Sequence, residues 1–242
     1  MEKEFHSERM GMIDEELAYL GSKNKALKPV KNGNVIRIKV TDKSFGDKMG
    51  NYCTVTQKGK RAPIKFLANE LKYLIGEKIE GAKVLVVGIG NPYMTTDSLG
   101  AKVVDNLVKE RKGNLYLFTP LLESVTGIPS FDVVKSIVKT VKPTFIIIVD
   151  ALATSSPDRV CKSYQATDSG IVPGSAIGKD VVFNKKTLGA KVIAIGTPTV
   201  ISVKQTMENR EYTNMLVTPK NIDALIDQAS NCIARAIYLA TE

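Results

Sequence analysis

The stretch Val84-Leu-Val-Val-Gly-Ile-Gly-Asn-Pro92 constrains the fold more than any other part of the chain. Val84 to Val87 is short, unbroken and rich in β-branched residues, as expected of a strand buried on both faces. Gly88 and Gly90 end it, and Asn91-Pro92 turns the chain away. Beyond the loop, Leu99, Val103, Val104, Leu107 and Val108 share one face of a helix. Asp97 lies between strand and helix. This order predicts a βα unit that delivers a carboxylate to the carboxyl end of a strand, where ligands collect in open α/β sheets.

The same alternation continues down the chain. Leu115 to Phe118 reads as a short strand, and Val134, Ile137, Val138 and Val141 line a helix stopped by Pro143. Phe145-Ile-Ile-Ile-Val149 is the most apolar run and reads as the central strand, with Asp150 at its carboxyl end. Lys191 to Ile195 is a further buried strand, followed by Gly196. Gly81-Ala-Lys-Val-Leu-Val-Val-Gly88 and Gly189-Ala-Lys-Val-Ile-Ala-Ile-Gly196 resemble each other, as two parallel strands in similar surroundings would. Pro219 opens a long final helix with Thr218 as its expected cap. Its stripe is Ile222, Leu225, Ile226, Ala229, Ile233, Ala236, Ile237 and Ala240.

This pattern predicts an α/β fold in three layers with a mostly parallel sheet. Ahead of it, Val35-Ile-Arg-Ile-Lys-Val40 alternates as a half-buried antiparallel strand does, and Tyr52 to Thr56 has similar character. Pro63 opens a helix with Leu67, Leu71 and Leu74 on one stripe. These elements form an N-terminal antiparallel addition. The expected organisation is a polar tail over residues 1–33, with a short helical pattern around Ile13–Leu20, and one α/β domain over 34–242 onto which 34–80 packs.

Composition narrows the chemistry. His6 is the sole histidine of 242 residues, so a Ser-His-Asp or Cys-His apparatus or a histidine-rich zinc site has little to be built from. Cys53, Cys161 and Cys232 fit neither a disulfide framework nor a zinc spacing, which points to a reducing, cytoplasmic setting. No apolar run approaches the roughly 20 residues of a membrane helix, and Met-Glu-Lys-Glu-Phe-His lacks signal-peptide character. The formal net charge of +9 favours acidic partners. Its lysines and arginines are scattered, however, with only short clusters at Lys58–Arg61 and Lys185-Lys186, and no Trp supplies a stacking platform for nucleic acid.

Asp97 and Asp150 both follow buried strands and are expected at one edge of the sheet. Two neighbouring carboxylates cannot both ionise cheaply, so such a pair can hold a proton and a water between them. That permits acid–base hydrolysis without histidine. The alternative is that each Asp merely caps the turn or helix after it. Gly88-Ile-Gly90 could cradle an anion, but the third glycine of the dinucleotide fingerprint is absent in register. The Gly-rich segment Asp168–Gly178 reads equally as a site lining or as a plain connection.

Taken together, the segments resemble the germination protease family, endopeptidases that degrade small acid-soluble spore proteins. The matching pieces are Val84–Asn91, Thr96-Asp-Ser-Leu-Gly100, Thr126-Gly-Ile128, Val149–Ala153, Thr167–Ser175, Val192–Gly196, Pro198-Thr-Val200 and Val217–Lys220, in the family's order. A weaker match covers Val40 and Gly50–Thr56. The resemblance implies a phosphorylase/hydrolase-like core, similar to that of hydrogenase-maturation peptidases. It also implies an atypical aspartic-type mechanism in which Asp97 and Asp150 form the catalytic pair. Within the matched segments, Asn91, Thr126, Gly127, Asp168, Ser169 and Gly170 are expected to bind substrate. No cofactor or metal is implied, since the lone histidine falls outside the matching region.

The resemblance further implies a homotetrameric zymogen of the spore core, processed within Glu4-Phe-His-Ser-Glu8, at Glu4–Phe5. The chain departs from the family pattern at Pro92, Thr96 and Ser202, and the stretch between Val203 and Met215 is shorter than expected. Two other readings are a protease homologue retained as a binding or regulatory protein, and a peptidyl-tRNA hydrolase-like enzyme. Val87-Gly-Ile-Gly-Asn-Pro92 also resembles the opening of the hydrolase, which requires a histidine soon afterwards that this chain lacks.

Overall fold

The computed structural model describes residues 29–41, 49–76, 81–110, 114–121, 123–172, 181–202 and 215–242. Glu4, Phe5, His6, the Ile13–Leu20 pattern, most of the Val203–Met215 segment and the later part of the Gly-rich segment lie outside these residues.

Among the described residues, nine strands join in one sheet. In chain order they are β1 (Val30–Asn32), β2 (Val35–Val40), β3 (Gly50–Thr56), β4 (Val84–Gly88), β5 (Leu115–Phe118), β6 (Phe145–Thr154), β7 (Ser163–Thr167), β8 (Lys191–Ser202) and β9 (Leu216–Val217). They lie in the order β1-β2-β3-β7-β8-β6-β4-β5, with β9 on the far end of β8. The strands β5, β4, β6 and β8 are parallel to one another. Every other pairing is antiparallel.

The expectation of a mostly parallel sheet therefore holds for the four strands at one end, β8, β6, β4 and β5, and fails for the whole, which is mixed. The N-terminal strands β1, β2 and β3 belong to it. They extend the same sheet, because β7 runs backwards beside β8 and offers an antiparallel edge to β3. The two similar Gly-Ala-Lys-Val segments supply β4 and β8, which flank β6 on either side.

Four longer helices pack on the sheet: α1 (Ile64–Ile75), α2 (Leu99–Glu110), α3 (Ser130–Val141) and α4 (Ile222–Thr241). Alternation along β6 separates two cores. Phe145, Ile147, Val149 and Ala151 join Leu67, Leu71, Leu99, Val103, Leu107, Ile226, Ile233 and Ile237, from α1, α2 and α4. Ile146 and Ile148 join Val134 and Val138 of α3, together with Ile171, Phe183 and Leu188. α3 ends in a left-handed Lys142, just before Pro143.

Two expectations about element ends are corrected. β6 does not stop at Val149 but runs through Asp150 to Thr154, and β8 runs through Gly196 to Ser202. These upper halves lie beyond the end of β4, whose last residue, Gly88, pairs with Val149. α4 begins at Ile222 without a side-chain cap. The Thr218 hydroxyl instead donates to the Thr199 carbonyl of β8 at 2.9 Å.

Candidate active site

The site is built on backbone approaches that only glycine permits. A Cβ on Gly88 would lie 2.1 Å from the Gly100 carbonyl oxygen, and one on Gly100 would lie 2.3 Å from that of Ile89. The start of α2 is thus seated directly on the end of β4. Gly100 performs the close helix–strand packing that the missing third fingerprint glycine would otherwise perform.

Between them the chain folds a compact loop. The Ile89 N–H donates to the Val149 carbonyl at 2.8 Å, continuing the β4–β6 ladder by one step. Gly90 follows with φ +124°, where an added Cβ would meet the Asp97 carbonyl at 2.0 Å. The Asn91 side-chain carbonyl accepts from the Tyr93 N–H at 3.0 Å, an Asx-turn. A single 3₁₀ turn, Thr95–Asp97, closes the loop, with the Asp97 N–H donating to the Met94 carbonyl at 2.8 Å. The Asp97 carboxylate then accepts the Asn91 backbone N–H at 2.7 Å. A bond of this kind fixes the carboxylate to its own loop.

Asp150 is buried within β6, opposite Gly196 of β8, and its carboxylate accepts the next N–H, that of Ala151, at 2.8 Å. By register it stands one residue above the Gly88–Val149 pair, level with Ile89. Asp97 lies against Gly90, the residue after Ile89, and its 3₁₀ turn touches both β6 and β8. Asp97, in the turn that follows β4, and Asp150, in β6, therefore lie toward the same edge of the sheet.

Of the residues expected to bind substrate, three share this edge. Asn91 holds Asp97, as above. Thr126 and Gly127 lie on an exposed connection after β5, whose last residue, Phe118, pairs with Val87. The Thr126 hydroxyl accepts the Ile128 N–H at 3.1 Å, and Gly127 has φ +71°.

Asp168, Ser169 and Gly170 stand elsewhere. β7 runs against β8 with Thr167 opposite Ala194, so these residues lie below Gly196 and two strands across from Asp150. Their groups have structural work. Asp168 accepts both the backbone N–H and the side-chain amide of Asn51, each at 2.7 Å. The Ser169 hydroxyl bonds to those of Tyr52 at 2.8 Å and Thr167 at 2.9 Å. A Cβ on Gly170 would meet the Phe183 carbonyl at 2.4 Å.

No thiol offers a competing nucleophile. All three cysteines are buried. Burial pushes the Cys161 thiol up to about 12 and that of Cys232 up to about 11. It raises Cys53 further, with the Glu70 carboxylate adding to the effect.

The germination protease family profile matches residues 2–213. The chain belongs to the germination protease family. It is 30% identical over 274 residues to the germination protease of Caldanaerobacter subterraneus subsp. tengcongensis, a match covering 86% of this chain and 84% of that one. It is 37% identical over 186 residues to that of Bacillus cereus (strain AH187), covering 67% of this chain and 51% of the relative. Among solved structures, the [NiFe] hydrogenase maturation protease HycI from Thermococcus kodakarensis KOD1 covers 72% of this chain and 99% of its own, with 17% identity and a TM-score of 0.45. That score is too low to assign a fold. Membership in the family supports a peptidase, acting on protein. Among the described residues no helix is long and apolar enough to cross a membrane.

The sequence reading singled out Asp97 and Asp150 as candidates but not Gly100 and Thr199, which pack against the Asp97 loop. For Gly100 a signal existed: a glycine in the first turn of a strongly amphipathic helix usually marks a close backbone approach. For Thr199 there was none, because a buried threonine in a β-branched run reads as strand filler.

Proposed function

We propose that this chain is an endopeptidase that cleaves small acid-soluble spore proteins when spores germinate, with Asp97 and Asp150 as its catalytic pair. The observation that carries the reading is the loop that bonds Asp97 to Asn91 at the sheet edge on which Asp150 also stands. One carboxylate, ionised, removes a proton from water as the water oxygen attacks the scissile carbonyl carbon. Its protonated partner donates a hydrogen bond to the carbonyl oxygen and then supplies a proton to the departing amine. Family membership, the lack of any histidine after His6 and the raised thiols all favour a carboxylate mechanism.

The surroundings suit a polypeptide. Tyr93 and Met94 on the Asp97 loop, and Val125 and Ile128 on the connection after β5, are exposed apolar side chains on the two loops of this edge. The basic charge suits substrates that come coated with nucleic acid. In the same reading the protein works in the spore core as a homo-oligomer, after loss of its tail at Glu4–Phe5.

The test is cleavage of a small acid-soluble spore protein by the chain with and without residues 1–8, beside Asp97→Asn and Asp150→Asn. Cleavage after Glu that both substitutions abolish is the expected result. Cleavage persisting in both removes the pair, and no cleavage by either unsubstituted form favours a binding protein.

A further inference from the structure

The upper half of the β6–β8 ladder contains an irregularity whose position is informative. Leu152 pairs with Pro198 and Ala153 with Val200, so Thr199 is an extra residue on β8 with no partner across the ladder. Bulges between parallel strands are rare, and they re-aim a side chain where they occur.

This one aims Thr199 at the Asp97 loop. The side chain is completely buried, and its hydroxyl donates to the Thr96 carbonyl at 2.6 Å, the peptide immediately before Asp97. The Thr199 carbonyl, freed from the ladder, accepts the Thr218 hydroxyl at 2.9 Å. Thr218 directly precedes Pro219 and the start of α4, and α4 itself touches the 3₁₀ turn. The carboxylate is held from below by Asn91, and its peptide from above by Thr199.

We propose that Thr199 is a positioning residue for the peptidase reaction: displaced from the ladder by the bulge, it fixes the Thr96–Asp97 peptide and with it the direction of the Asp97 carboxylate. The proposal rests on Asp97 being one of the catalytic pair. Without the extra residue the side chains that follow on β8 would alternate in regular register with β6, and Thr199 would not be set apart to donate to the Thr96 carbonyl. Small displacements of a catalytic group are costly, a shift of about 1 Å being able to lower turnover on the order of a hundredfold.

The test compares Thr199→Val, which keeps the shape and loses the donor, with Thr199→Ser, which keeps the donor. Amide hydrogen exchange on the full chain is read first. Thr199→Val should speed exchange in peptides covering Asn91 to Asp97 while β4, β6 and α2 stay as protected as before, and Thr199→Ser should restore the slow exchange.

With a small acid-soluble spore protein as substrate, Thr199→Val should lower kcat roughly 10- to 100-fold with KM changed less than about threefold, and Thr199→Ser should recover most of kcat. Unchanged exchange over Asn91–Asp97 overturns the proposal. So does unchanged kcat in Thr199→Val, or equal losses in the Val and Ser variants. Asp97→Asn is run alongside: if it retains activity, the catalytic reading of Asp97 fails, and the exchange result still decides whether Thr199 holds the loop.

Discussion

Gly100→Ala sets two effects of opposite sign against each other. Gly100 lies in the first turn of α2, where alanine is intrinsically better than glycine by about 1 kcal/mol. On propensity alone the substitution stabilises. Yet the added Cβ would lie 2.3 Å from the Ile89 oxygen, 2.5 Å from the Ile89 nitrogen and 2.7 Å from the Gly88 carbonyl carbon. All three are backbone atoms at the end of β4, where the Ile89 N–H is itself bonded to Val149, so no side chain can swing aside.

Reaching ordinary contact requires the helix to withdraw by about 1 Å, a gap that forfeits a quarter to a half of each dispersion contact across it. Leu99, Val103 and Leu107 line that interface and are essentially unexposed. Overpacking of this kind costs about 1–3 kcal/mol where side chains give way. With backbone on both sides we expect a net loss of about 2–4 kcal/mol after the helix gain is subtracted. For a chain of this size that lowers Tm by roughly 5–15 °C. Thermal unfolding followed by circular dichroism measures it, with Gly81→Ala as the comparison. Gly81 has φ +70° and nothing within 4 Å of the added Cβ, so only its backbone strain is felt. A Tm for Gly100→Ala equal to or above that of the unsubstituted protein would refute the reasoning.

Other expectations are simpler to measure. Asp168→Ala strands the Asn51 N–H and amide and should cost about 2–3 kcal/mol by denaturant titration, with KM for a protein substrate within about threefold. A raised KM at unchanged stability would instead return Asp168 to substrate binding. Arg37 makes a two-pronged bond to buried Glu70, at 2.7 and 2.8 Å, and lies over the Tyr73 ring. Arg37→Ala leaves that carboxylate without its partner and should cost about 2 kcal/mol, less than for a fully buried pair because the arginine is half exposed. A loss below about 0.5 kcal/mol would show the pair to be solvated.

The buried thiols give a pH dependence. Cys161 and Cys232 ionise at about 12 and about 11 in the folded chain against an ordinary 9.0, so the unfolded state releases protons first. Their contribution is complete below pH 9 and declines as pH rises from there toward 11–12. Stability should fall over that range, and an alkylating reagent at neutral pH should label Cys161 and Cys232 only after denaturant is added. Fast labelling of the native protein would contradict the burial.

The strands legible in the sequence were those whose residues carry the signal themselves. Val84–Val87, Phe145–Val149 and Val192–Ile195 are apolar because both faces are covered by helices or loops. The upper halves of β6 and β8 were not legible. Asp150-Ala-Leu-Ala and Thr197-Pro-Thr lack a strand's composition, and a proline normally argues against an inner strand. Pro198 is accommodated next to the bulge, where the ladder is already irregular. The mixed character of the sheet was hidden for another reason: β3 meets β7 across more than a hundred residues, and periodicity reports which face is buried, not which strand lies alongside. Thr218 illustrates a third limit. Its hydroxyl suits a helix cap, but α4 starts only at Ile222, which puts Thr218 out of the capping position, and the hydroxyl donates to the Thr199 carbonyl instead.

β8 also changes neighbours along its length, pairing with β7 low down and with β9 above. The short β9 acts as a clasp: Ile201 stands opposite Val217 and Ser202 opposite Leu216. With Ser202 and Leu216 paired, the number of residues between them is nearly decoupled from the sheet below: for a flexible connection the closure cost grows only logarithmically, and a fourfold longer one would cost about 1.2 kcal/mol. A lineage of such proteins can therefore lengthen or trim the chain there and leave Thr199, Asp97 and Asp150 where they stand.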